Sequence, residues 1–141
     1  MSRYIVTWGL DEQADDTYRV IVGNVDELDR VLDTIERTSD DDNAAYVVTI
    51  LAEDDPDAHR AIQIGVGRSD RGFLLYLGED GGYGYEPGLS PWPETVVFDY
   101  NGEATEYKPA RTRITPAVVR AAARGYLTAT RPQTIAIDPN A

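Results

Sequence analysis

Hydrophobic residues along the chain recur mostly in short alternating or continuous runs bounded by polar and glycine-rich turns, and at only two places with helical spacing. "RYIVTW" (3–8) and "YRVIVG" (18–23) are rich in β-branched and aromatic residues, and the turn-like "GLDEQADD" between them predicts a hairpin. Asn24 then stands as N-cap to "VDELDRVLDTIER", with Glu27 three positions on as in a capping box and Asp26 and Glu27 in the first turn, where the helix dipole favours acids. Val25, Leu28, Val31, Leu32 and Ile35 share one face of this helix, and the polar run "TSDDDN" (38–43) is expected to stop it. "AAYVVTILA" (44–52), "AIQIGVG" (61–67) and "FLLYLG" (73–78) are joined by short polar turns. That predicts an antiparallel meander, because parallel pairing needs a much longer crossover.

"TVVFDY" (95–100), Asn101-Gly102 and "EATEYK" (103–108) form a second hairpin signal, since Asn-Gly accepts the positive φ angles of a type I′ turn. Thr115 as N-cap and Pro116 at N1 open a second helix reaching Ala129, with Val118, Val119, Ala122 and Tyr126 toward the core and Arg120 and Arg124 outside. Pro132 ends it, and "TIAI" (134–137) supplies a last short strand. The predicted architecture is α+β: an antiparallel β-sheet of about six to eight strands, meander and hairpins, with two helices packed on one face. Its 141 residues suit a single domain over 1–141.

Charge changes the picture more than composition does. The formal net charge is −12, with 16 acids against 5 bases in residues 1–60, 6 against 2 in 61–100, and 3 against 6 in 101–141. A surface of this sign repels phosphates, so no direct nucleic-acid binding is predicted, and it steers the protein toward a basic partner. There is no cysteine, which excludes disulfides and thiolate metal sites and fits a cytoplasmic protein. The apolar run at the amino terminus is too short for a signal peptide and nowhere do 18 apolar residues run together, so no membrane association is predicted.

Catalytic constellations are not evident. His59, the only histidine, reads as an exposed turn residue without the partners of a triad or metal site. Glu53, Asp54, Asp55 and Asp57 lack the EF-hand pattern and read as a solvated turn, as do Asp40 to Asp42 after the first helix. Lys108, the only lysine, ends a strand with nothing to support a Schiff-base role. The expectation is a non-enzyme with no catalytic residue, no cofactor and no metal. A small enzyme or ligand-binding domain with a pocket between sheet and helices is the alternative, and a structural module of a larger assembly a third.

The segment "GEDGGYGYEPG" (78–88) has the glycines of a phosphate loop but no lysine and no following helix, and its acids would repel phosphate. Its glycines supply turn geometry instead. Glu79, Asp80, Tyr83, Tyr85, Glu86 and, a little further on, Trp92 then become the candidate partner-binding residues, on a loop stiffened by Pro87, Pro91 and Pro93. The competing reading has Tyr83 and Trp92 closing over the sheet as core or edge residues.

Residues 96–137 ("VVFDYNGEATEYKPARTRITPAVVRAAARGYLTATRPQTIAI") resemble the first-numbered family of immunity proteins of bacterial polymorphic toxin systems. Gly102, Glu106, Pro109, Pro116, Ala121 to Ala123 and Arg131-Pro132 stand in that family's order, and "VDELDRVLDTI" and "IQIGVG…FLLYLGEDGGYGYEPG" match its helix and its strand-glycine-strand centre. Two departures stand out: alanine or threonine, at 129 or 130, replaces the glycine of the family's "TG-x-RP", and Ile137 replaces a frequent tryptophan. The resemblance implies an inhibitor of a cognate toxin, often a nucleic-acid deaminase; the expected form is a monomer in a one-to-one complex.

Overall fold

The computed structural model describes residues 3–55 and 60–141; Pro56, Asp57, Ala58 and His59 lie outside the described residues, as do Met1 and Ser2. The first hairpin forms as β1 (Tyr4–Asp11) and β2 (Asp16–Val22), and α1 covers Val25–Asp42. The meander is β3 (Tyr46–Ala52), β4 (Ala61–Val66) and β5 (Leu74–Tyr76), followed by β6 (Gly82–Tyr85). The second hairpin is β7 (Val96–Tyr100) and β8 (Glu103–Tyr107), then come α2 (Pro116–Leu127) and β9 (Ala136–Asp138). Along the main path the strand order is β2-β1-β3-β4-β5-β6-β9, with antiparallel pairing throughout. β7 touches β3 through one parallel bridge, Tyr46 to Asp99, and carries β8 with it.

The α+β sheet with two helices on one face is therefore observed, with nine strands among the described residues. The strand not foreseen is β6, whose Gly-Tyr-Gly-Tyr has none of the β-branched residues that mark strands. Even-numbered positions of β3 and β4, Val48, Ile50, Ile62 and Ile64, face the helices and join Leu28, Leu32, Ile35, Val119 and Ala122 in the main core. The opposite face has a second, smaller core: Val47, Phe73, Val96, Phe98 and Tyr107, under the β7–β8 hairpin. Here Phe73 stacks on Tyr107 at 4.3 Å between ring centroids and meets Phe98 edge-on at 5.2 Å. Gly65 lies beneath them, where a Cβ would stand 2.7 Å from the Phe98 ring.

Both helices depart from the sequence reading at one end. Asn24 accepts from the Glu27 amide at 2.9 Å as expected, while the Glu27 carboxylate accepts from the N–H of Gly23 at 2.7 Å, one residue before the N-cap amide that a capping box takes. The run 38–43 does not stop α1, however; the helix continues to Asp42 and ends on left-handed Asn43. Ser39 explains the extension, since it is buried on the helix's inner face and donates to the Ala44 carbonyl, a tertiary anchor that outweighs the weak helix propensity of Ser and Asp. At α2, Thr115 is the N-cap but its side chain caps nothing. Arg120 is not simply outside: it is half-buried against α1.

Candidate functional site

Glu79 and Asp80 occupy the centre of a turn closed by Gly81 N–H to the Gly78 carbonyl at 3.1 Å, and both are exposed. Gly78, at φ +126°, and Gly82, at φ +149°, supply backbone that other residues rarely adopt. Along β6, Gly82 and Gly84 face the helix side, where a Cβ on Gly84 would stand 2.8 Å from Leu74. Tyr83 and Tyr85 consequently point to the opposite face, since side chains alternate along a strand.

Each ring there is matched with an arginine. Arg111 lies 5.0 Å from the Tyr83 centroid and Arg113 lies 4.9 Å from that of Tyr85, while Tyr83 also meets Phe73 at 6.5 Å. Burial raises the Tyr83 phenol above its ordinary pKa, and the Arg111 charge opposes the rise. Arg113 is itself held by donating to the Leu89 carbonyl at 3.0 Å. Trp92 pairs at 4.9 Å with Arg71, a side chain only 3 % exposed that donates to the Glu94 carbonyl. On the helix side, Arg131 lies 4.0 Å from the Tyr76 centroid.

Glu86 has a different part. Its carboxylate accepts the Thr115 amide at 2.7 Å, satisfying the N–H of the N-cap residue itself, and its own N–H donates to the Arg113 carbonyl at 2.8 Å. Of the six candidate residues, Glu79, Asp80, Tyr83 and Tyr85 belong to one sheet edge, Glu86 ties that edge to α2, and Trp92 belongs with Arg71 in the following loop. The arginines are what residue-by-residue reading missed. For Arg111, Arg113 and Arg131 the signal was the charge inversion after residue 100, where bases outnumber acids; Arg71 had none.

The bases of α2 are likewise engaged. Arg120 reaches Asp33 at 3.1 Å and Glu36 at 2.9 Å, and Arg124 reaches Asp29 at 2.9 Å. The Arg124 hydrogen bond holds the Asp29 carboxyl below its ordinary pKa against the opposing effect of burial. A cleft of about 290 Å³ lies between the helices and β4, with Leu32, Ile64 and Val119 in its walls and Glu36 and Arg120 at its polar side. These two charges satisfy each other. Among the described residues no three His, Asp or Glu side chains come together as a metal site, and no helix is long and apolar enough to cross a membrane.

The family model described as Immunity protein Imm1 matches residues 16–139, from the start of β2 to just past β9. No curated protein and no solved structure matches the chain.

Proposed function

We propose that this chain, which belongs to the Imm1 family of immunity proteins and so neutralises a toxin, is a cytoplasmic inhibitor that covers the substrate cleft of a basic, nucleic-acid-deaminating toxin. One protein binds one toxin, and the inhibitor contributes surface rather than catalysis. The observation that carries this reading is the division of labour among charges. Arg111, Arg113, Arg71 and Arg131 lie against rings, and Arg120 and Arg124 against α1 carboxylates. Arg19, Arg30, Arg37, Arg60 and Lys108 are exposed as well, but they stand singly along the chain, whereas exposed acids come in groups: Glu12, Asp15 and Asp16 at the first hairpin's tip, Asp40 to Asp42 at the end of α1, and Glu79 and Asp80.

A cleft built to hold nucleic-acid phosphates presents lysines and arginines, and acids on a rigid scaffold compete for them. Glu79 and Asp80, with Tyr83 and Tyr85 behind them, form the contacting edge; Trp92 and Glu86 hold the loop that supports it. The test uses the toxin domain encoded beside this chain's gene. Raising salt from about 0.1 M to about 0.5 M should weaken binding at least tenfold, and Glu79→Gln with Asp80→Asn should lose a further tenfold or so. Affinity indifferent to salt, to this double substitution and to Tyr83→Ala would sink the reading. A toxin that deaminates normally while saturated with inhibitor would do the same.

A further inference from the structure

The opposite end of the sheet is unlike the candidate site. Among the described residues β2 pairs on one side only, with β1. The Arg3 carbonyl accepts from Glu53 N–H, which turns the odd-numbered backbone groups of β1 toward β3 and its even-numbered groups toward β2. Tyr18, Val20 and Val22, the partners of Trp8, Val6 and Tyr4, therefore spend their backbone bonds on β1. The N–H and C=O groups of Arg19 and Ile21 point away from the sheet, while the Thr17 N–H donates to the Asp16 carboxylate at 2.8 Å.

Each face of this strand carries uncovered apolar side chains, although Val22 is buried and Arg19 stands exposed beside Ile21. Tyr18 (45 % exposed, stacked on Trp8 at 5.7 Å) and Val20 (36 %) lie on the helix side, and Ile21 (38 %) on the other. Edge strands that are meant to stay unpaired are short or carry proline and inward charges. β2 has seven residues and no proline; its protections are one exposed charge, Arg19, and the irregular pairing near the hairpin end.

We propose that β2 is a docking strand that takes an extended, lysine- or arginine-bearing segment of the toxin as an added antiparallel or parallel strand. This rests on the reading that the partner is a basic toxin. Charge selects that occupant: Asp11, Glu12, Asp15 and Asp16 border one end of the strand, and Asp26 and Glu27 the other. A second copy of this chain fits poorly, because it brings a further −12 to the same place and, in full antiparallel overlap, sets Arg19 against Arg19. Backbone pairing gives such a contact its affinity, and Tyr18, Val20 and Ile21 give it apolar cover on alternate faces.

Amide exchange in the full chain, alone and with the toxin domain encoded beside its gene, tests this. The amides of Arg19 and Ile21 should exchange at least about tenfold more slowly in the complex. Ile21→Pro, which removes an outward donor and leaves the β1 ladder intact, should weaken binding about tenfold or more; Ile21→Ser, which keeps the N–H, should weaken it no more than about threefold and leave Tm within a few degrees. A complex that forms while those two amides exchange as in the free protein overturns the docking strand and leaves the inhibitor reading standing. Absence of any complex removes both. A symmetric dimer of the chain alone, seen by light scattering and protecting the same amides, also overturns the proposal.

Discussion

The two edges of one sheet have been finished in opposite ways. At the β6–β9 edge the outer strand has three residues, a glycine turn folds close beneath it, and rings on both faces lie against arginines. At the β2 edge a seven-residue strand leaves backbone and apolar side chains open. Six strand spacings of about 4.8 Å separate them, roughly 29 Å. Protection at one edge and exposure at the other within the same fold indicates that the openness of β2 is not a general property of the sheet. Closure is something β6 and β9 achieve with particular residues, and those residues can be removed.

The largest effect should come from breaking the closed edge at its tightest point. Gly82 combines φ +149° with a position where a Cβ would stand 2.7 Å from the Asp138 carbonyl oxygen. Gly82→Ala must either strain that backbone or push β9 away, and is expected to destabilise by about 3 kcal/mol. Urea denaturation would show this as a lower midpoint at unchanged slope. An unshifted midpoint would mean that β9 is not held where the pairing Tyr83 to Asp138 puts it.

The aromatic cluster beside that edge predicts a pH limit. Burial first, then the charges of Tyr83 and Tyr100, pushes the Tyr107 phenol up to about 12, against a smaller opposing effect of Arg111. A raised phenol favours the fold while it is neutral: the contribution is complete below about pH 10 and is lost as pH rises from there toward about 12. Tyr46, also pushed up to about 12 by burial and by its hydrogen bond to Asp42, adds a similar loss. Each ring should contribute about 2–3 kcal/mol across that interval. Stability measured at about pH 9 and about pH 11.5 should fall less in Tyr107→Phe than in the parent chain. Equal losses in both would show that the phenol ionises as freely in the fold as outside it.

How far such features were legible depends on their range along the chain. Asn24 and Glu27, the Asn101-Gly102 turn and the alternation of β3 act within a few residues, and each formed as its local chemistry dictates. The end of α1 misled because Ser39 answers to Ala44 and Gly67 rather than to its helix neighbours. At the candidate site Tyr83 and Tyr85 were found as residues, but their strand depends on pairing with β9, more than fifty positions on, and their arginines arrive from the segment before α2. Glu86 accepting the amide of Thr115, twenty-nine residues away, is a link that no local pattern signals.

The smallest effect concerns the connection that delivers β9 to its edge, and it runs toward greater stability. After α2 the chain turns at Ala129, which has φ +56°, a left-handed conformation that an alanine side chain disfavours by about 1–2 kcal/mol. The turn is otherwise well made: Thr128 and Thr130 both donate their amides to the Gly125 carbonyl, and Gly125 has no Cβ because one would stand 2.6 Å from the Thr130 carbonyl oxygen. Position 129 is thus the one in the "TATRP" stretch where the resembling family's glycine belongs, and position 130, packed against Gly125, is not. Ala129→Gly should stabilise by about 0.5–1 kcal/mol, the relief of strain exceeding the extra freedom glycine has when unfolded. Thr130→Gly should destabilise, because it removes a hydroxyl that bonds Thr128 and gains no relief in return. If thermal unfolding ranks the two the other way, the left-handed residue has been misplaced by one position, and the path of the chain into the closed edge with it.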